Sequence, residues 1–66
     1  MNRKIKLTVY LIDQYGEKLL AEPFEVPIVP NVGDWVIITG MSAMQVHSRR
    51  IDYSTKNIDV AIRLTR

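Results

Sequence analysis

Apolar and polar residues alternate near both ends of the chain. Near the start, the apolar positions of one parity are Ile5, Leu7, Val9 and Leu11. Near the end, the same period of two returns at Ile58, Val60, Ile62 and Leu64. A period of two with many β-branched residues is typical of strands that bury one face. The pattern therefore predicts a first and a last β-strand, each with one side turned toward a core.

A tight turn is predicted over residues 13–17, after the first strand. Gly16 lies in it, and glycine adopts the positive φ that such turns often need. The strand that follows, over about 18–29, is interrupted by Pro23 and Pro27. Because proline lacks the N–H that a sheet ladder uses, this second strand is predicted to be broken or to lie on an edge.

The segment 26–40, VPIVPNVGDWVIITG, combines prolines, glycines and an apolar run. Pro27 and Pro30 have the spacing of a proline-rich docking motif, but apolar residues lie between them and no lysine or arginine is adjacent. The glycines lack the spacing and the lysine of a phosphate-binding loop. We therefore interpret residues 30–34 as the turn that starts a third strand, over 35–39, whose two faces are both apolar.

A fourth strand is predicted over residues 44–53. Its apolar positions change parity along the strand, from Met44 and Val46 to Ile51 and Tyr53. One extra residue near Arg49 and Arg50 would return both sets to the core side, which is the effect of a β-bulge. A polar hairpin loop over 54–57 then leads into the last strand.

Five short strands without a helical pattern predict one all-β domain over residues 1–66. Such a chain usually curls on itself, so we expect a small five-stranded SH3-like barrel or a strongly bent antiparallel sheet. Chains of this size bury only about 60% of the surface that their unfolded form exposes. Good packing or oligomerisation must therefore supply the stability.

The turn and the strands after it resemble those of one group of proteins. The pattern is Pro27-x-x-Pro30-x-x-Gly33-Asp34, an apolar strand, a short loop, Val46, Tyr53 and a last alternating strand, within 24–64. It is similar to that of small uncharacterised, SH3-like β-barrel proteins of phages and bacterial mobile elements with a P-x-V-G-D turn. The resemblance implies a barrel fold and a phage or mobile-element setting, and it assigns no functional residue.

Composition limits the chemistry that the chain can perform. It has no cysteine and a single histidine, His47, which excludes disulfides, thiolate zinc sites and multi-histidine metal sites. No nucleophile, base and orienting group form a recognisable motif, so we expect no enzyme, no metal and no cofactor. The sequence lacks a signal-peptide pattern and the roughly 20 apolar residues of a membrane helix, so we expect a cytoplasmic protein.

The apolar content supports the main functional hypothesis. Hydrophobic residues make up 47% of the chain, and 9–12 and 35–38 place large apolar groups on both faces of their strands. A thin barrel has one interior, so loops or another chain must cover the second faces. We predict a non-enzymatic interaction module that forms a homo-oligomer and binds a protein partner. The resemblance described above implies, in addition, a phage or mobile-element accessory protein that inhibits a host system. The predicted interface comprises Tyr10, Ile12, Trp35, Val36, Ile38, Met41 and Met44.

The basic residues support an alternative. The net charge is +2, and pairing of the first and last strands would bring three cations together on one outer face. A second cationic group surrounds the predicted bulge, and aromatic residues could stack on bases. The alternative function is nucleic-acid or nucleotide binding through Lys4, Lys6, Arg49, Arg50, Lys56 and Arg63. Charged outer faces also protect edge strands from aggregation, which is the simpler explanation of the same residues.

Overall fold

The regular structure of the chain consists of β-strands. A computed structural model describes residues 4–53 and 56–66, with the strands β1 (Lys4–Asp13), β2 (Gly16–Glu25), β3 (Trp35–Val36), β4 (Met44–Tyr53) and β5 (Asn57–Thr65). The strands form one sheet in the spatial order β2-β1-β5-β4-β3, and the sheet curls into a half-barrel. The predicted all-β, barrel-like fold is confirmed.

The two central strands, β1 and β5, pair with each other, as expected for the first and last strands. They run parallel, whereas the other three pairings are antiparallel. The sheet is therefore mixed, and the expectation of a wholly antiparallel sheet is wrong in this one pairing. The two strands with the clearest alternation occupy the middle of the sheet, where each has a neighbour on both edges.

The concave side of the sheet holds the core. The buried side chains come from the central strands and from the start of β4: Leu7, Val9, Leu11, Met44, Val46, Val60, Ile62 and Leu64. Partly buried residues from β2 and from the segment between β2 and β4 pack against this cluster: Leu20, Ala21, Val26, Val29, Val36 and Ile38. The core is small, so each buried aliphatic group contributes a large share of the stability.

The β1–β2 hairpin closes as the sequence predicts. The Tyr15 N–H donates a 2.7 Å hydrogen bond to Asp13 Oδ1, and Gly16 has a φ of 111°. Strand β2 is an edge strand, and its pairing with β1 is irregular at two points. It ends at Glu25, earlier than the predicted position near residue 29, because Pro27 provides no N–H for a continued ladder.

The segment before β3 forms the predicted corner. The Asp34 N–H donates to the Asn31 carbonyl over 3.0 Å, and the Asp34 carboxylate accepts from the Asn31 N–H over 2.8 Å. Gly33, at the third position of this turn, has a φ of 95°, which a type II turn requires. Two mutual hydrogen bonds and one glycine therefore fix the direction in which the chain enters β3.

Strand β4 contains the predicted bulge, slightly earlier than expected. Val46 lies opposite Leu64 and Ser48 opposite Arg63, so His47 is the extra residue. Beyond the bulge, Arg49 lies opposite Ile62 and so belongs to the concave side of the strand. Of the predicted loop over 54–57, Ser54 and Thr55 lie outside the described residues.

Candidate interaction surface

Strand β3 and the residue pair after it present apolar side chains on two sides. Trp35 is 66% exposed and Ile37 is 74% exposed. Val36 and Ile38, which alternate with them, pack against the core. Alternation therefore places one apolar pair in the core and leaves the other pair in solvent, at the edge of the sheet.

The free edge of β3 also offers unpaired backbone groups. The Asp34 carbonyl accepts from the Val46 N–H and the Gly33 N–H donates to the Val46 carbonyl, each over 2.9 Å. In an antiparallel ladder, residues turned toward the neighbouring strand alternate with residues turned away. The N–H and C=O groups of Trp35 thus point away from β4. Among the strands that the structure describes, β3 contacts β4 alone.

The predicted interface residues divide into three groups. Trp35 and Met41 are exposed, as the hypothesis requires. Tyr10 and Ile12 are half-buried and share the outer parity of β1. Val36, Ile38 and Met44 are turned inward, and Met44 is only 3% exposed.

The prediction for Met44 is therefore corrected. Met44 shares the parity of Val46, and both side chains lie in the core, so Met44 is not available to a partner. Val36 and Ile38 also point toward the core, but they are only partly buried. They are therefore less available to a partner than the prediction requires. The predicted interface omits Ile37, although Ile37 has the same parity as Trp35 and that signal is present in the sequence.

The exposed apolar residues continue before β3. Ile28 is 75% exposed and Val32 is 59% exposed, and both lie in the segment that joins β2 to β3. Scattered exposed apolar residues are normal in proteins, whereas several in one short segment point to an interaction surface. We refer to Ile28, Val32, Trp35 and Ile37 as the β3 patch.

The outer-face cations of β1 and β5 are matched by carboxylates of β2. The ammonium groups of Lys4 and Lys6 lie 3.2 Å and 3.8 Å from Glu25 Oε1, and Arg63 pairs with Glu17. The sheet register also separates these cations, because Arg63 lies opposite Tyr10 and Lys6 lies opposite Asp59. Pairing of β1 with β5 therefore does not produce a concentrated positive patch.

The second predicted cationic group is also divided. The Arg49 Nη1 donates to the Pro30 carbonyl over 3.1 Å and to Asn31 Oδ1 over 2.9 Å, which ties β4 to the corner before β3. Arg50 Nε lies 3.4 Å from Asp52 Oδ2, and Lys56 is exposed next to the start of β5. Arg49 thus has a structural role, and only Lys56 of this group extends into solvent with no carboxylate near it in the described structure.

Two depressions lie on the surface of the described residues. One has a volume of about 270 Å³ and lies on the outer face over the small side chain of Ala61, with Tyr10, Ser48, Arg50 and Arg63 around it. The Ser48 hydroxyl beside it is buried and has no hydrogen-bond partner in the described structure. The other, of about 540 Å³, lies between the 40–44 segment and the end of β1.

Residues 4–53 and 56–66 contain no group of three His, Cys, Asp or Glu side chains that could hold a metal ion. Within the same described ranges, no helix has the length and hydropathy needed to cross a membrane. No protein-family model, curated protein or solved structure matches the chain. The function is therefore argued from the geometry of the chain itself.

Proposed function

We propose that the chain is a non-enzymatic interaction module that self-associates and binds a protein partner through the β3 patch. The observation that carries this proposal is the exposure of Trp35, on the edge strand β3, and of Ile37, directly after it, beside an edge that has no further strand in the described structure. Tryptophan is strongly enriched among the residues that dominate the free energy of protein–protein binding. An edge strand adds the backbone donors and acceptors that a second strand can pair with.

The distribution of charge favours a protein over a nucleic acid as the partner. The register places four cations and four carboxylates on the outer face of β2, β1, β5 and β4, so that face is formally neutral. Nucleic-acid binding depends on uncompensated positive charge along the phosphate backbone. The β3 patch, by contrast, consists of apolar side chains, which gain free energy when another protein surface removes them from water.

The proposal includes a biological setting. The resemblance of the Pro27–Asp34 turn to small phage and mobile-element proteins supports an accessory protein that inhibits a host system in the cytoplasm. The genes that flank this one test the setting, because phage or mobile-element genes are expected on both sides. A location among unrelated housekeeping genes would remove the support for this part.

Sedimentation tests the interaction surface. The unmodified chain is expected to sediment as an oligomer at micromolar concentration, and Trp35→Ala is expected to sediment as a folded monomer. Tyr53→Ala is the matched control, because Tyr53 is also an exposed aromatic of the sheet, at 70%, but lies eight residues further along β4 from the partner of Trp35. Equal assembly of the unmodified chain and Trp35→Ala would exclude the β3 patch.

A further inference from the structure

The segment 27–43, which includes β3, covers the core without belonging to it. It leaves β2 at one edge of the sheet and reaches β4 near the other edge. Its inward side chains, Val29, Val36 and Ile38, are only partly buried against the core. The fully buried side chains of the described residues all belong to β1, β4 and β5. We refer to residues 27–43 as the strap, because they cross the concave side from one edge to the other.

The strap is attached to the sheet in one place. Its hydrogen bonds to the sheet, as far as the structure describes them, all run from residues 30–36 to residues 44–49 of β4. Before the strap, the Val26 N–H donates to the Ile5 carbonyl over 3.0 Å and continues the pairing of β2 with β1. A segment with few buried apolar contacts and few backbone hydrogen bonds opens at a lower free energy than the core strands.

We infer that the strap opens as one unit while the other four strands stay paired, and that Arg49 holds it closed. The Arg49 guanidinium extends from β4 to the Pro30 carbonyl and to Asn31 Oδ1, so these two bonds exist only when the strap lies on the sheet. Arg49 is therefore a positioning residue for the strap. The inference concerns the single chain and does not depend on its self-association.

The two ends of the strap allow this movement. Residues 39–43 are all exposed, and Gly40 among them has a φ of 83°. Hinges are commonly a few residues at the end of an element, and small residues often serve. The depression of about 540 Å³ between residues 40–44 and the end of β1 also leaves this stretch loosely packed. At the other end, Pro27 and Ile28 are exposed directly after the anchored Val26.

Opening changes the amount of apolar surface that the chain presents. All four residues of the β3 patch lie in the strap, and they are exposed while it is closed. Once the strap leaves the core, Val29, Val36 and Ile38 become exposed as well, and the concave side loses its cover. The strap is thus a conformational device that keeps the apolar surface of the chain small in its closed form.

Amide hydrogen exchange tests this inference in samples too dilute to associate, read at single residues by mass spectrometry. The Gly33 N–H and the Val46 N–H both take part in bonds between the strap and β4, so they report on the strap. The amides of β1 and β5 report on the central pair of strands. We expect Gly33 and Val46 to share one protection factor, at least tenfold lower than that of the central strands.

Two variants separate opening of the strap from unfolding of the whole chain. Arg49→Ala is expected to speed exchange at Gly33 and Val46 about fivefold, because it removes two hydrogen bonds of the closed form. Ala61→Gly is the matched control, since Ala61 lies in β5 on the outer face, opposite Arg50. It is expected to speed exchange in the central strands about two- to fivefold and to leave Gly33 and Val46 unchanged.

Three results would overturn the inference. Equal protection of Gly33, Val46 and the central strands would show that the strap leaves the sheet only when the whole chain unfolds. Faster exchange at Gly33 and Val46 in Ala61→Gly would show the same. Unchanged exchange at these two amides in Arg49→Ala would exclude Arg49 as the residue that holds the strap closed.

Discussion

Arg49 Nη1 donates a 2.9 Å hydrogen bond to Asn31 Oδ1 and joins β4 to the corner that precedes β3. The same nitrogen donates to the Pro30 carbonyl, so one guanidinium fixes two residues of the corner. Asn31 in turn is bonded to Asp34, the residue before Trp35. The direction of the β3 edge therefore depends on a contact between residues 18 positions apart in the sequence.

Arg49→Ala is expected to lower the free energy of unfolding by about 1 kcal/mol, since hydrogen bonds from a charged donor stabilise a fold modestly when they are exposed. Arg50→Ala is the matched control. Its ion pair with Asp52 is on the exposed outer face, where such pairs contribute about 0–1 kcal/mol and often nothing measurable. Urea denaturation of both variants compares them. Equal losses would show that the contact to Pro30 and Asn31 has no special role.

Gly33→Ala is expected to destabilise the chain by about 1–2 kcal/mol, because a residue with a Cβ is strained at positive φ. A Cβ added at Gly33 would meet no atom within 4 Å beyond its chain neighbours, so the cost arises from the backbone and not from a clash. Gly33→Asn is expected to cost less, since asparagine tolerates this region better. Thermal unfolding measures both, and an unchanged melting temperature in Gly33→Ala would contradict the type II turn.

Met44→Ala is expected to destabilise the chain by about 2–5 kcal/mol, the usual cost of truncating a buried methionine. Met41, three residues earlier, is 41% exposed, so Met41→Ala is expected to lose less than about 1 kcal/mol. Denaturant unfolding separates the two. If Met41→Ala were the more damaging substitution, the assignment of Met44 to the core and of Met41 to the surface would be wrong.

The outer face is expected to bind nucleic acid only after its carboxylates are removed. The unmodified chain should not bind a labelled single-stranded oligonucleotide at physiological salt. Replacing Glu17 and Glu25 by glutamine leaves Lys4, Lys6 and Arg63 without these carboxylates, and this variant should gain binding that weakens with salt. Fluorescence anisotropy over a salt series measures both. Strong, salt-dependent binding by the unmodified chain would contradict this expectation and support nucleic-acid binding as the function.

In samples too dilute to associate, Trp35→Ala is expected to change the free energy of unfolding by less than about 1 kcal/mol, as for most surface substitutions. Its effect on assembly should be much larger, because a central tryptophan often dominates an interface. Denaturant unfolding of the dilute chain measures the first effect, and sedimentation at higher concentration measures the second. A variant that fails to fold would show that Trp35 belongs to the core in solution.

The sequence predicts the strands best where local patterning determines them. Alternation gives β1, β4 and β5 closely, and the glycine and proline positions give both turns. The parallel pairing of β1 with β5 depends on contacts between distant segments, which a periodic pattern does not encode. The ion pairs of Lys4 with Glu25 and of Arg63 with Glu17 cannot be predicted from the sequence for the same reason, because these residues come together only in the folded sheet.

The interface is predicted in part. The apolar run at 35–38 predicts a surplus of apolar side chains, but it does not by itself show which alternate pair the core takes. The structure assigns Val36 and Ile38 to the core and leaves Trp35 and Ile37 outside. Met44 is predicted as an interface residue because methionine suits adaptable surfaces. Its parity with Val46, however, already indicates that it lies in the core.

The fluorescence of Trp35 tests the central claim most directly, because it is the only tryptophan in the chain. Its emission spectrum is recorded over a dilution series, alongside sedimentation of the same samples. We expect the emission of a water-exposed indole at the lowest concentrations and a shift to shorter wavelength as the chain associates, with one common midpoint. Emission typical of a buried indole in the dilute monomer, or association that leaves the spectrum of Trp35 unchanged, would contradict the role of the β3 patch.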